Sequence, residues 1–422
     1  MTTQPCYTRT KRTCYYANVV MAATAVLPSM LFITFRQMYG ISFTLLGTLV
    51  LINFCTQLGM DLLFSFFSKH ISFRLAVVLM PSFSVLGMSI YAVIPTLFPR
   101  YAYVGLVIGT VIFSMAAGLC EVLMSPLVAA MPSDRPERDM AILHSLYAYG
   151  VIFTVVISTL FFLCFGTENW MYLVGCFALL PLFAIVLFAT APLPSMNTEK
   201  EVQARTQPVA WQGLALCVAC IFFGSAAEVT MTNWVSGYLE TTLKLSKQWC
   251  DLLGLAMFGA LLALGRTLYA KFGTNIWRVL MMGMAGSVLC YVAVAICHAP
   301  ILVVFFAMFT GFVTSMLWPG SLILMEEKYP HMGVMAYALM AAGGDLGGSV
   351  APQLLGYVVD TVAGSQVGQR LAESITITPD QLGMKVGMLV TALFPLAGIV
   401  LLLMIRRYFR ARDVASPIDI SE

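Results

Sequence analysis

Six ionisable side chains lie within long apolar stretches of this sequence, and they are the first candidates for chemistry. They are Asp61, Glu121, His144, Glu228, Arg266 and Asp345. A charged group in hydrocarbon costs several kcal/mol, and such groups usually pair with one another or mark the path of an ion or polar solute. We therefore treat each of the six as a candidate functional residue.

Glu121 and His144 stand on either side of a short charged turn, Ser133 to Asp139. A carboxylate inside an apolar stretch is suited to taking up and releasing a proton, and we assign this role to Glu121. The alternative is a permanently protonated acid that bonds to a neighbouring helix. His144 precedes Tyr147 by three residues, so the imidazole and the phenol share a helix face and can contact one ligand. The alternative for His144 is a packing role.

Three further residues are candidates for contact with a solute. Asn233 and Trp234 follow Glu228 by about one and a half helical turns, and together they offer an amide and an aromatic platform for a polyol. Trp318 lies in the sequence Trp318-Pro319-Gly320, which is our best candidate for a moving hinge. Asp61, Arg266 and Asp345 are predicted to be gating or structural charges, with Asp61 and Arg266 as possible partners of salt bridges between domains.

Motifs for enzymatic chemistry are absent from the sequence. It contains no G-x-x-x-x-G-K-[ST], no HExxH and no GxSxG, so a nucleotide-driven pump or a hydrolase is unsupported. Cys217 and Cys220 form an isolated CxxC without a second ligand pair. We predict no cofactor, no metal and no enzymatic activity.

The composition places the chain in a lipid bilayer. Hydrophobic residues make up 60% and charged residues only 10%, and the long apolar runs are sufficient to cross a hydrocarbon core as helices. The net charge of +3 lies mostly in loops and tails, so it predicts orientation and not nucleic-acid binding.

The apolar runs predict an all-α protein with twelve transmembrane helices. The predicted spans are 15–35, 43–67, 75–98, 103–131, 140–165, 170–190, 211–239, 249–272, 276–297, 301–325, 334–362 and 386–405. Basic residues are enriched in the loops on the side of the termini, which predicts that both termini are cytoplasmic in a multi-pass protein of the cell's inner membrane.

The two halves of the chain repeat the same frame. Pairs of residues separated by 193 positions are Gly118 and Gly311, Pro126 and Pro319, and Gly150 and Gly343. Within this frame Glu121 matches Thr314 and His144 matches Tyr337, so the polar chemistry differs between the halves. We predict two parallel six-helix repeats, residues 1–190 and 211–422, joined by a polar cytoplasmic linker at 191–210.

Several segments together resemble a known family of transporters. Twelve spans in two parallel halves resemble the major facilitator superfamily. The segments Gly118-Leu-Cys-Glu121, Gly224-Ser-Ala-Ala-Glu228, Gly265-Arg266 and Gly344-Asp-Leu-Gly347 are similar to those of its fucose permease group of sugar–proton symporters. The resemblance implies that Glu121 is the protonated acid of the fourth helix and that His144 contacts the sugar. Because the first span lacks the acid that this permease carries, a second proton site would be Glu228.

We therefore expect a symporter that couples proton entry to uptake of a small polar solute, most simply a sugar, by alternating access. Its expected partners are the solute, the proton and the lipid bilayer, and we expect a monomer. The alternatives are a proton-driven efflux antiporter for amphipathic compounds and a non-transporting membrane sensor or scaffold.

Overall fold

A computed structural model describes residues 7–67, 72–133, 136–194, 211–273, 275–329 and 334–415. Within these ranges the regular structure is entirely helical. The helices are α1 (Thr8–Met30), α2 (Phe32–Tyr39), α3 (Phe43–Phe67), α4 (Phe73–Leu97), α5 (Ala102–Ala129), α6 (Pro136–Phe165), α7 (Trp170–Thr190), α8 (Trp211–Leu243), α9 (Lys247–Trp249), α10 (Met257–Phe272), α11 (Ile276–Ile296), α12 (Pro300–Thr314), α13 (Leu317–Lys328), α14 (Val334–Gly364), α15 (Gln366–Ser374), α16 (Pro379–Thr391) and α17 (Leu393–Ala415). A π-helical segment, Cys250–Ala256, joins α9 to α10.

These helices form twelve membrane spans, as predicted. Ten candidate spans are long and apolar enough by themselves, and the bent pair α1 and α2 forms an eleventh. α14 is the twelfth, because its 31 residues exceed the length needed to cross a bilayer. Its apolar character is lowered by Asp345 and by the surrounding glycines.

Three spans are interrupted within the described residues, the third at Ala392 between α16 and α17. Proline accounts for the first break. Pro28 lacks an N–H and its ring clashes with the preceding turn, so α1 ends at Met30 and α2 continues at an angle of 44°. The second break separates α12 from α13 at Ser315 and Met316. Pro319 then lies in the first turn of α13, where a missing N–H costs little.

The predicted repeat is confirmed by the packing of its glycines. Gly118 of α5 approaches the main chain of α3, because a Cβ at this position would lie 2.8 Å from Gln57 O. Gly311 of α12 approaches α10 in the same way, with a Cβ position 2.2 Å from Phe258 O. The second pair is equivalent, since Gly150 packs on Val19 of α1 and Gly343 on Val218 of α8. The shared glycines are therefore contact points of a common scaffold.

Gly311→Ala should destabilise the protein, because the added methyl group would overlap a backbone carbonyl that cannot move alone. Overpacking of this kind costs about 1–3 kcal/mol. We expect a lower midpoint of thermal unfolding in detergent. Gly175→Ala is the matched control, since nothing lies within 4 Å of its added Cβ. Equal midpoints for the two variants would contradict the close approach.

The two halves, α1–α7 and α8–α17, lie side by side and point in the same direction. We call the face where α1 begins and α17 ends the terminal face, and the opposite one the distal face. Within the first half, Thr10 donates a hydrogen bond to Pro192 O at 2.6 Å, which places the end of α7 beside the start of α1. The predicted linker falls outside the described residues from 195 to 210, and the domain boundaries stay a prediction.

An ion pair ties α1 to α6 at the terminal face. Lys11 Nζ donates to Asp139 Oδ2 at 2.5 Å, and Ser133 Oγ donates to the same oxygen at 2.6 Å. These two hydrogen bonds hold the pKa of Asp139 below its usual range. The stability that this pair contributes is therefore present above the usual range of an aspartate and is lost as the pH falls through the lowered pKa.

Candidate functional site

Three carboxylates from the two halves meet within the molecule, nearer the terminal face than the distal face. One oxygen each from Asp61 of α3, Glu121 of α5 and Asp345 of α14 lie within 4.8 Å of one another. We call these residues the carboxylate cluster. Asp61 and Glu121 belong to the first half and Asp345 to the second, so the cluster spans the boundary between the halves.

The cluster is deep but accessible. Glu121 lies eight residues before the end of α5, which corresponds to about 12 Å along the helix. Asp345 lies eleven residues after the start of α14, or about 16 Å. Asp345 is buried, with 3% of its surface exposed, whereas the Glu121 side chain is exposed. An exposed side chain at this depth, between α3 and α14, means that an open space reaches the cluster.

The cluster cannot hold three negative charges without cost. At 4.8 Å, two ionised carboxylates repel by about 3–4 kcal/mol at the effective dielectric constant of about 20 that suits protein sites. Asp345 Oδ2 also lacks a hydrogen-bond partner among the described groups. The arrangement therefore favours a bound proton or cation, which is the chemistry expected of a coupling site.

A salt bridge lies in the second half. Arg266 Nη2 is 3.0 Å from Glu228 Oε1, and Arg266 Nε donates to Ser315 O at 3.0 Å. Ser315 is located at the break between α12 and α13, where carbonyl groups lose their helical partners. Arg266 therefore pairs within one half, not between the halves, and it satisfies the broken helix while Glu228 balances its charge.

Tyr147 connects the salt bridge to the carboxylate cluster. Its hydroxyl lies within electrostatic range of Glu228, Arg266 and Glu121. Tyr147 is half-buried on α6 of the first half, so a side chain of one half lies near the salt bridge of the other. His144 lies on the same helix, but its side chain is outside the described residues.

The other predicted solute contacts divide into two groups. Trp318 packs against Gly344, the residue before Asp345, because a Cβ on Gly344 would be 2.4 Å from its ring. Asn233 is half-buried and donates its amide to Val229 O one turn earlier, at 2.9 Å, so its side-chain oxygen is the group left for a solute.

Trp234 is fully buried and does not face the open space. Its indole N–H donates to Pro352 O at 3.2 Å, and its ring centroid is 5.4 Å from that of Phe32 and 5.9 Å from that of Phe43. Both phenylalanines belong to the first half. Trp234 therefore packs at the contact between the two halves. This position does not support its predicted role in stacking on a solute.

The contacts between the halves concentrate near the distal face. Asp360 at the end of α14 accepts hydrogen bonds from the N–H groups of Phe43 at 3.2 Å and Thr44 at 2.6 Å, which caps the N-terminus of α3. Arg36 forms an ion pair with Asp380 at 2.6 Å. These contacts hold the two halves together on the distal side of the carboxylate cluster.

Asp360→Asn should loosen the distal contact, because an amide oxygen is a weaker acceptor for the start of α3 than a carboxylate. A lost helix cap costs about 1–2 kcal/mol, which corresponds to a 5- to 30-fold increase in local opening. We expect hydrogen–deuterium exchange at Phe43 and Thr44 to accelerate by this factor. Glu373→Gln, on the exposed surface of α15, should leave this exchange unchanged; equal rates in both variants would exclude the cap.

A buried charge network on the distal side was not predicted from the sequence. Lys247 Nζ is 3.3 Å from Asp251 Oδ2, and the side chains are only 7% and 0% exposed. Ser236 Oγ donates to the same carboxylate, and Lys247 donates to Met30 O, the last carbonyl of α1. The signal available in the sequence is the i, i+4 spacing of Lys247 and Asp251 at the start of an apolar run.

The chain matches a known protein family over most of its length. The profile of the Major Facilitator Superfamily matches residues 14–352. The chain belongs to the major facilitator superfamily. It is therefore a multi-pass membrane transporter of small solutes, in a family of transporters and not of enzymes. No match is found among curated proteins.

Solved structures of major facilitator proteins share the whole architecture. A bacterial homologue of the human lysosomal transporter Spinster superposes with a TM-score of 0.75 at 12% identity, over 96% of this chain and 98% of that chain. A D-xylose–proton symporter gives 0.73 at 14%, covering 92% and 97%. The nucleoside transporter NupG gives 0.71 at 14%, covering 94% and 99%. At these identities the likeness shows the fold alone.

Proposed function

We propose that this major facilitator protein is a proton-coupled symporter for a small polar solute, with a sugar as the first candidate. The observation that carries the proposal is the carboxylate cluster, which joins Asp61 and Glu121 of one half to Asp345 of the other. A site on the boundary between the halves is where the protonation state can alter their relative positions.

The coupling follows from the charge of the cluster. When its members are ionised, their repulsion opposes the approach of α14 to α3 and α5; when protons neutralise them, this cost disappears. A ligand shifts a conformational equilibrium only through a difference in affinity between the two states. On this proposal, Glu121 receives its proton from the distal side and releases it toward the terminal face.

The solute would bind between the cluster and the salt bridge of the second half. Tyr147, Trp318 and the pair formed by Glu228 and Arg266 surround this region, and Asn233 and His144 stay candidates for further hydrogen bonds. Glu228 is proposed as the partner that keeps Arg266 neutralised, with proton transfer as a secondary role. Mixed hydrogen-bonding groups and the two aromatic rings of Tyr147 and Trp318 suit a polyol better than an apolar compound.

Two comparisons support a sugar. One structurally similar protein is a D-xylose–proton symporter, although the likeness to it extends only to the fold. The motifs around Glu121, Glu228, Arg266 and Asp345 resemble those of the fucose permease group, and membership of that group stays part of this proposal.

A second candidate function is favoured by the excess of acids around the open space. Three carboxylates belong to the cluster, whereas Arg266 is already paired with Glu228. Such a site would also attract a cationic amphipathic compound, which would displace the protons and be exported by antiport. A non-transporting sensor or scaffold has no specific observation in its favour.

We propose an inner-membrane monomer whose terminal face is cytoplasmic, with halves at 1–190 and 211–422 and a linker at 191–210. In this orientation the structure is the state that is open to the cytoplasm.

The test is the direction of proton movement in proteoliposomes that contain the full chain and an internal pH dye. Hexoses, deoxyhexoses and uncharged nucleosides are added outside, and cationic amphipathic dyes are tested separately. Solute-induced entry of protons supports symport, and movement of protons against the solute supports antiport. If no compound moves protons above the level of empty vesicles, the coupling role of the cluster is wrong.

A further inference from the structure

A second cavity lies at the terminal face of the second half, away from the carboxylate cluster. Its volume is about 350 Å³, and it is formed by the start of α11, the end of α13 and the end of α17. Three basic side chains line it: Lys328, Arg406 and Arg410. Among its ten lining residues Glu327 is the one acid, so the lining is positively charged.

Two of the three basic side chains lie over aromatic rings. The guanidinium of Arg406 lies 4.5 Å from the ring centroid of Trp277, and the ammonium of Lys328 lies 5.3 Å from that of Phe409. Trp277 is itself fixed, since its indole N–H donates to Leu402 O at 3.4 Å. Among the described residues none of the three basic side chains forms an ion pair, so their charge is available to an anion.

The N-terminus of α11 adds to the positive electrostatic potential of the cavity. Asn275, Ile276 and Trp277 line the cavity, and Asn275 caps this helix by accepting from Arg278 N at 3.1 Å. The N-terminus of a 21-residue helix carries a partial positive charge. Helix and side chains therefore favour the same kind of ligand, a compact anion such as a phosphate group.

The cavity lies next to a lipid-facing surface, which indicates that a phosphate bound there belongs to a lipid. Leu396, Leu403 and Arg410 are seven residues apart on α17, so they lie on one helix face. Leu396 is 46% exposed and Leu403 is 44% exposed, which marks this face as lipid-facing. This apolar face ends at the basic lining of the cavity. It can therefore contact the acyl chain of a lipid whose phosphate lies in the cavity at the terminal face.

We propose that this cavity binds the phosphate of an anionic phospholipid headgroup. Basic pockets between transmembrane helices at the membrane surface bind such headgroups in general, and the volume is sufficient for the phosphate and its glycerol. The lipid would join α13, the second part of a broken span, to α11 and α17.

The test uses the full-length protein in detergent and measures thermal unfolding during titration with phosphatidylglycerol. Parallel titrations use phosphatidylcholine and inorganic phosphate. We expect saturable stabilisation by phosphatidylglycerol alone. The double substitution Arg406→Gln with Arg410→Gln should weaken this binding about thirtyfold, since each basic residue contributes roughly a factor of five to six.

The matched control is Arg407→Gln with Arg370→Gln, which removes the same charge from exposed positions outside the lining. The proposal is overturned if both double variants weaken binding equally, because the effect would then be general attraction. It is also overturned if inorganic phosphate stabilises the protein as well as the lipid does. Should the double variant fail to fold, Lys328→Gln replaces it and is expected to weaken binding about five- to sixfold.

Discussion

Glu121→Gln is expected to abolish solute accumulation driven by a proton gradient while leaving solute exchange intact. Glutamine keeps the size and polarity of the side chain but cannot take up and release a proton. One pH unit stores about 1.4 kcal/mol per proton, which supports about a tenfold accumulation in the unaltered protein. The variant should reach equal concentrations on both sides. The measurement is uptake of labelled solute into proteoliposomes with an imposed pH difference of one unit.

Two controls make this result specific. Solute exchange without a gradient should persist in Glu121→Gln, because the solute-binding groups are untouched. Glu326→Gln removes an exposed acid of α13 and should accumulate solute normally. Accumulation by Glu121→Gln at the level of the unaltered protein would assign proton coupling to another group, with Asp61 and Asp345 the next to test.

Lys247→Met should cause the largest loss of stability. It removes the ammonium that neutralises Asp251, whose side chain is fully buried, and it leaves Met30 O without its donor. Breaking a buried ion pair by removing one partner costs about 3–5 kcal/mol. We expect a marked fall in the midpoint of thermal unfolding in detergent.

The double variant Lys247→Met with Asp251→Asn should recover much of the lost stability, because the uncompensated charge is gone and the amide still pairs with Ser236. Lys244→Met removes an exposed lysine from the same connection and should have little effect. If the double variant is no more stable than Lys247→Met alone, the loss does not arise from the buried charge.

The scaffold could be predicted because its signals are local or evenly repeated. Apolar runs define spans, and an identical spacing of Gly118 with Gly311 and of Gly150 with Gly343 identifies equivalent contacts. Glu121 could be selected because its own surroundings are apolar. None of these inferences needs the distance between remote parts of the chain.

The carboxylate cluster could not be predicted, because it depends on the distances between remote parts of the chain. Depth along a helix places Asp61 near one end of its span and Glu121 nearer the middle, but it does not say how helices from two halves approach each other. Spacing also does not identify the face of a helix. Trp234 follows Glu228 closely in sequence, yet it points into the contact between the halves, while Glu228 pairs with Arg266.

The break between α1 and α2 and the break between α12 and α13 differ in what holds their free carbonyl groups, and this difference bears on the speed of transport. Ser315 O is held by Arg266 of its own half, so that bend can persist through the cycle. Met30 O is held by Lys247 of the opposite half, so the alternating access proposed above requires this bond to break each time the distal side opens. Its energy then adds to the activation barrier of each turnover. A stronger hydrogen bond between Lys247 and Met30 O would therefore slow transport and reduce uncoupled passage of solute or protons. A weaker bond would have the opposite effects.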